Sequence, residues 1–169
     1  NTLEYKPSGK AKFATLEATK SIDNLSDRFA VLLKGTDKAG DFYRKTFAET
    51  FAYAANRIPE IADELFRVDD AICAGFGWQM GVFATADAVG VKDFVAMMQT
   101  QNVKIADWVT EMLAGGNESF YKIEGGKKLY YDIPTKSYKV IPGTEAFIIL
   151  DNIRKTNVIW KNAGSTIFD

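Results

Sequence analysis

Residues 75–91 read Gly75-Phe76-Gly77-Trp78-Gln79-Met80-Gly81-Val82-Phe83-Ala84-Thr85-Ala86-Asp87-Ala88-Val89-Gly90-Val91. Three glycines in the first seven positions invite a phosphate-cradling loop. A dinucleotide fingerprint places its glycines as G-x-G-x-x-G, directly after a strand and at the opening of a helix. Here the spacing is Gly75-x-Gly77-x-x-x-Gly81, and the residues before it have a helical pattern. The Gly-Lys-Ser/Thr ending of a Walker loop is absent. The glycines are therefore expected to serve packing. Gly75 ends a helix holding Ala71, Ile72 and Cys73. Gly77 and Gly81 allow a close-packed turn, and Trp78, Met80 and Phe83 plug the core beneath it. That reading makes the centre of the chain helix–turn–helix and the fold mainly α.

The flanks agree with it. Residues 37–58 place Tyr43, Phe47, Phe51, Ala54 and Ile58 at spacings of three or four, one face of a long helix, with Asp37 as its cap. A shorter helix over 21–34 is capped by Ser21 or by the Asn24–Ser26 region, and Gly35 fits a left-handed C-cap. Pro59 closes the long helix and can open the next, in which Ile61 and Leu65 face inward. Asp69 or Asp70 fits as the N-cap of the helix running to Gly75. Three further helices follow after the glycine segment. In the last, Ile105, Trp108, Val109 and Met112 share a face, and Gly115-Gly116 ends it. Residues 1–20, polar, Lys-rich and broken by Pro7-Ser8-Gly9, read as a linker or extended arm. Residues 21–116 read as a compact helical domain.

Composition changes at 117. Leu129, Tyr131 and Ile133 alternate with Tyr130 and Asp132, and turn signals stand at 124–127 and 134–136, so 119–141 reads as a small antiparallel three-stranded meander. A strand is expected through Phe147–Ile149, then a helical turn or two, then one or two strands over 157–168. The chain stops in apolar, β-leaning sequence and begins with Asn. It is expected to be a piece of a longer polypeptide.

Several functions are excluded or disfavoured by counting. There is no histidine, so no Ser-His-Asp triad, Cys-His pair or His-rich zinc site can be built. A net charge of −1 gives no electrostatic footprint for nucleic acid or an anionic membrane. No apolar run reaches the ~18 residues of a membrane span. The single cysteine, Cys73, rules out an internal disulfide, fits a reducing, cytoplasmic setting and reads as a small buried apolar side chain. Asp69-Asp70 and Asp63-Glu64 could suggest paired carboxylates, but neighbours on a helix point apart. Tyr121, Tyr130, Tyr131 and Tyr138 could line an aromatic face for bases or sugars; without clustered arginines a half-buried sheet face is the better account.

Residues 69–91 resemble the signature of the C-terminal helical domain of 3-hydroxyacyl-CoA dehydrogenases, a fold related to the C-terminal domain of 6-phosphogluconate dehydrogenase. Asp70, Gly75, Gly77, Met80, Gly81, Phe83, Asp87 and Gly90 match that signature; Val82 replaces its usual Pro, and Val91-Lys92 departs from its usual end. Residues 38–72 look like the long helix and connection before it, in particular those of the second, degenerate copy found in multifunctional fatty-acid oxidation enzymes. The tail 158–169 is similar to the first strands of a crotonase-like enoyl-CoA hydratase.

The resemblance implies a domain order of arm (1–20), helical domain (21–116), β-meander linker (117–156) and the start of a truncated crotonase-like domain (157–169). It implies an oxidoreductase of lipid metabolism that oxidises 3-hydroxyacyl-CoA with NAD in fatty-acid β-oxidation and is fused to an enoyl-CoA hydratase. Family catalysis draws Ser, His and Glu from a Rossmann domain and Asn from the first helical copy. Asn56, followed by Arg57, lies too close to the glycine segment to be that Asn. No catalytic, cofactor-binding or metal residue is therefore assigned to this chain, and NAD belongs to the parent polypeptide. The implied partners are the Rossmann and first helical domains, the downstream crotonase-like domain and the parent's acyl-CoA substrate. The alternatives are a dimerisation module and a free-standing helical binder of acyl-CoA or lipid.

Overall fold

A computed structural model describes residues 5, 9, 11–154 and 158–169. Among them the chain runs α1 (Ala14–Thr19), α2 (Leu25–Lys34), α3 (Lys38–Asn56), α4 (Leu65–Phe76), α5 (Val82–Val89), α6 (Val91–Thr100) and α7 (Asp107–Ala114). Then come β1 (Tyr121–Glu124), β2 (Lys127–Asp132), β3 (Ser137–Val140), α8 (Leu150–Ile153), β4 (Val158–Lys161) and β5 (Thr166–Phe168). The architecture is mainly α with a small antiparallel meander, as the sequence pattern predicts. None of these helices is long and apolar enough to cross a membrane.

The long helix α3 organises the rest. Its predicted face is the buried one: Phe47, Phe51, Ala54 and Ile58 are enclosed, and Tyr43 packs at the edge. Asp37 caps it as expected, with Oδ1 accepting from the N–H groups of Ala39 and Gly40 at 3.1 and 3.0 Å. The other carboxylate oxygen accepts from Thr15 N–H at 2.9 Å. So one residue both starts α3 and holds α1. The expected arm at 1–20 thus contains a short helix, α1, with Thr15 and Thr19 buried. Helix α2 is capped by Asn24, whose side chain accepts from Asp27 N–H.

Gly35 differs from expectation. Its φ is −59°, not left-handed. Its glycine character comes from crowding: a Cβ here would lie 2.2 Å from Thr15 Oγ1, and one on Gly40 would lie 2.1 Å from the Gly35 carbonyl oxygen. The start of α3 therefore lies directly against the α2–α3 turn. Arg44 ties the turn down by donating to the carbonyls of Leu33 and Gly35.

After α3 the chain does not restart a helix at Pro59. Residues 57–61 form a turn closed by Ile61 N–H to Arg57 O at 2.9 Å, and helix returns only at Leu65. Ile61 is 59% exposed, while Leu65 is fully buried. A single apolar residue within a short polar stretch is too little to offset helix nucleation.

The meander takes its predicted form: β1–β2–β3, antiparallel throughout, with Tyr121 opposite Tyr130 and Tyr131 opposite Tyr138. Gly125 and Gly126 both have positive φ, the requirement of the tight hairpin turn between β1 and β2. The expected in–out alternation fails in the second half of β2, where Tyr130, Tyr131 and Asp132 are all buried. Both faces are covered there. Phe120, just before β1, inserts among Phe51, Phe83 and Trp108 at ring distances of 5.7, 5.3 and 5.7 Å. The apolar core therefore runs through the compositional change at 117 and includes Phe120, Tyr130 and Tyr131. The strand expected at 147–149 does not form, although the helical turn after it does, as α8. Phe147 and Ile148 stay 69% and 82% exposed; with no facing strand, an apolar run has no ladder to join. Strands β4 and β5 pair as an isolated hairpin.

The Thr15 N–H, with the α3 amides, holds the Asp37 carboxyl down at about 2, against an ordinary 3.8. A depressed folded-state value gives stability that is present above the unfolded value and is lost as pH falls through the folded one. Acid unfolding of the chain should therefore steepen between about pH 4 and pH 2, and Asp37→Asn should flatten that part of the profile when unfolding is followed by circular dichroism.

Candidate functional site

The eight signature residues lie around the α4–α5 corner, but they divide into two kinds. Asp70 is exposed on the outer face of α4. Gly75 lies inside α4, not at its end, and a Cβ there would meet nothing within 4 Å. Gly77 ends the helix in the left-handed region, at φ 66°. Trp78 remains 37% exposed and Met80 is half-buried, so neither is the core plug expected of it; Phe83 is, at 0% exposure. Gly90, at φ 95°, joins α5 to α6. Gly81, Phe83 and Asp87 converge on a polar cluster inside the fold.

The centre of that cluster is Asp69, which the sequence pattern placed at a helix start. Helix α4 begins four residues earlier, so Asp69 sits within it, 5% exposed and facing α5. Its Oδ1 accepts from Phe83 N–H and its Oδ2 from Ala84 N–H, both at 2.9 Å. It is a cap, but of the next helix. Carboxylates suit this position because helix N-termini present unpaired N–H groups and a positive dipole end. Gly81 is the residue that lets the carboxylate in: a Cβ on it would lie 2.2 Å from Asp69 Cγ.

Asp87, near the other end of α5, repeats the pattern. Its two oxygens accept from Phe120 N–H at 2.7 Å and Tyr121 N–H at 2.8 Å. The Tyr121 hydroxyl then donates back to Asp69 Oδ2 at 3.0 Å. Two carboxylates from successive helices and one phenol thus tie α4, α5 and β1 into a closed ring of hydrogen bonds. Burial raises the Asp69 carboxyl above its usual range, against the pull of its hydrogen bonds. Burial likewise pushes Asp87 up to about 7 and drives the Tyr121 phenol far upward, where Asp69 adds to the effect. Lys128 Nζ rests 4.1 Å from the centre of the Tyr121 ring.

This arrangement does not fit a dinucleotide. A helix, α4, leads into the glycine segment where a strand would be needed, and the α5 N–H groups that would meet a pyrophosphate are already held by Asp69. Nor does it resemble acid–base machinery. Each oxygen of Asp69 and Asp87 accepts from a backbone amide, and Tyr121 donates its proton to Asp69. Cys73, partly buried, has its thiol raised by burial and then by Asp69 and Asp70, so it is held as a thiol rather than the reactive thiolate. Among the described residues no group of three or more Cys, Asp or Glu could hold a metal ion. Asn56 donates to the carbonyls of Ala52 and Lys104, a link between α3 and the segment before α7. Of the four tyrosines, Tyr130 and Tyr131 are buried and Tyr121 and Tyr138 half-buried, which is the sheet-face account.

A cavity of about 250 Å³ lies against the ring, lined by Asp69, Cys73, Gly81, Tyr121 and Lys128, and a larger one lies elsewhere. A groove of about 570 Å³ lies between α3 and α4, walled by Tyr53, Ile61, Val68, Ile72 and Phe76. Tyr53, Ile61 and Phe76 are 65%, 59% and 79% exposed. At its rim Arg67 pairs with Glu64 at 2.7 Å, beside the exposed Asp63.

Comparison with known proteins agrees with the resemblance in sequence. The chain is 33% identical to a probable 3-hydroxyacyl-CoA dehydrogenase of Bacillus subtilis (strain 168), and the match covers 99% of this chain. It covers 21% of that protein, so the chain spans about a fifth of the length of this relative. No family model matches the sequence, and no solved structure matches it.

The two glycines of the corner should respond oppositely to a methyl group. Gly75→Ala should stabilise the chain by about 0.5 kcal/mol, because alanine is the better helix former and the site is open. Gly81→Ala should destabilise it by roughly 2–4 kcal/mol, the combined scale of overpacking and a lost cap. Urea unfolding of the two variants beside the parent chain measures both.

Proposed function

We propose that this chain is a positioning domain of a longer 3-hydroxyacyl-CoA dehydrogenase, and that it carries no catalytic group of its own. The observation that supports this most is the extent of the match: nearly all of this chain aligns, but with only a fifth of the relative. The chemistry agrees, since the chain has no histidine and its enclosed carboxylates serve backbone amides. In this reading NAD is bound by a Rossmann domain elsewhere in the polypeptide. The helical body packs against the first helical copy and helps close the acyl-CoA cleft. The polypeptide acts in fatty-acid β-oxidation, in the cytoplasm. Such a role is catalytically weighty, because reaction rates fall steeply when reacting groups are displaced by an ångström.

Residues 157–169 are, in the same reading, the first strands of a crotonase-like hydratase domain. The β4–β5 hairpin supports it: Ile159, Trp160 and Ile167 are 66%, 48% and 53% exposed, a face suited to burial by further chain. The α3–α4 groove is the face we assign to packing within the parent. Its apolar walls match an apolar neighbour better than a charged one.

Assay of NADH formation with a short-chain 3-hydroxyacyl-CoA tests the central claim. The isolated chain should give no turnover above the uncatalysed rate, and measurable turnover would overturn the reading. The groove has its own test. Phe76→Asp should shift the isolated chain's unfolding free energy by no more than about 0.5 kcal/mol, because the side chain is exposed there. In the complete polypeptide the same change should lower the melting temperature and the dehydrogenase rate together. An unchanged complete polypeptide would refute packing on this face.

A further inference from the structure

The α3–α4 groove has a helix along each side. Its α4 wall carries Val68, Ile72 and Phe76, each four residues from the last, on a helix of 12 residues, about 18 Å long. The same helix buries Leu65 and Phe66 on its inner side, so α4 is apolar on two faces. Tyr53 rises from the α3 wall and Ile61 from the connection between the helices, and both stand largely exposed, like Phe76. The Thr50 hydroxyl donates to the Thr46 carbonyl at 2.7 Å. Charge collects at the end where α3 leads into α4. Arg57 pairs with Glu60 beside the Tyr53 ring, and Arg67 pairs with Glu64. Asp63, exposed, also acts on Arg67. The carboxylates of Glu60, Asp63 and Glu64 thus outnumber the cations of Arg57 and Arg67 by one.

We propose that this groove seats one α-helix from the longer polypeptide, apolar along one face, with its N-terminal end at Asp63 and its C-terminal end at Phe76. The inference rests on the reading above and names the partner for that face. The match covers 21% of the relative, so most of that protein lies outside the region this chain resembles.

Two physical constraints choose a helix. The walls are helices whose mid-helix amides and carbonyls are bonded within themselves, and the Thr50 hydroxyl and Arg67 side chain are engaged. A segment laid across this floor finds no edge to pair with, so it must satisfy its own backbone groups internally. The rims matter as well. A thin chain lying on the floor would leave Tyr53, Ile61 and Phe76 in water, whereas a helix about 10 Å across covers floor and rims together. The direction follows from charge. Helix α3 ends and α4 begins at the Asp63 end, so their opposite dipole ends offset each other there. What remains is the surplus carboxylate. It favours the positive N-terminal end of an incoming helix and disfavours the negative C-terminal end.

Photocrosslinking in the complete polypeptide tests this. Benzoylphenylalanine is placed at Ile61 or at Phe76, both exposed, and the crosslinked peptides are mapped by mass spectrometry. Both probes should label one helix outside this chain, at residues three or four apart. The residues labelled from position 61 should precede those labelled from position 76 by about 7–11 residues, two to three turns. Labels at alternate residues, labels in the reverse order, labels on a second copy, or no crosslink would each overturn the proposal. So would loss of the crosslinks on adding palmitoyl-CoA, which would assign the groove to an acyl chain. Direction has a second measurement. Asp63→Lys should lower the melting temperature of the complete polypeptide by about 1–4 °C more than that of the isolated chain, and equal shifts would refute the stated orientation. Turnover by the isolated chain would end the non-catalytic reading and leave these crosslinks standing. A silent isolated chain with no such helix found would end this inference alone.

Discussion

The grip of Asp69 on the start of α5 is the constraint from which most of this fold follows. A buried carboxylate is costly in an apolar interior unless its oxygens are fully engaged. Here they meet two helix N–H groups and a phenol. The satisfied geometry leaves little freedom. Helix α4 must present residue 69 inward, residue 81 must lack a side chain, and α5 must begin at Val82. Once α5 is placed, its Phe83 enters the aromatic cluster beside Phe51, and its Asp87 reaches the amides before β1. The polar ring and the aromatic core are thus two consequences of one docking event.

That core explains why a meander can belong to a helical body. A three-stranded sheet of short strands has little to bury by itself. This one is fastened at its entrance, where Phe120 meets Phe83 and Trp108 edge to face while its N–H meets Asp87. Trp108 in turn donates its indole N–H to the carbonyl of Ala55 at the end of α3. The indole is held in place by a polar bond and contributes its rings to the core, a common use of buried tryptophan. Tyr130 meets Phe66 from the second strand. The sheet is therefore clasped from α3, α4, α5 and α7.

The parts of this fold that were legible from sequence are those governed by local periodicity. The buried face of α3, its Asp37 cap, the inward residues of α7 and the turns of the meander all follow from spacing and from residue type within a few positions. What was not legible depends on contacts across the chain. Asp69 was readable as a cap, because Asp before a helix is a strong signal, but its target lies 14 residues on, across a corner. Gly81 carries no mark that distinguishes room for a carboxylate from a left-handed turn. Tyr130 and Tyr131 look like the two faces of a half-buried sheet until Phe66 and the helices cover both. Gly35 looked like a helix terminator, whereas its neighbours Thr15 and Gly40 leave no space for anything larger. At the site itself the spacing was enough to reject a phosphate loop, but not to find the ring of carboxylates and phenol that takes its place.

The same ring bears on how little change this corner can tolerate. A catalytic carboxylate must keep a lone pair or a proton available to substrate. Each oxygen of Asp69 and Asp87 instead accepts from a protein donor. Their raised carboxyls come from enclosure, which elsewhere can mark an active site; here the oxygens meet backbone partners, and Asp69 and Tyr121 line a small cavity of about 250 Å³ with Cys73 and Lys128. What these oxygens bind in this chain is the start of α5 and the entrance to the meander. The glycines of residues 75–81 are accordingly a record of packing. One is spare, one turns the chain, and one makes room for the carboxylate on which the corner is built.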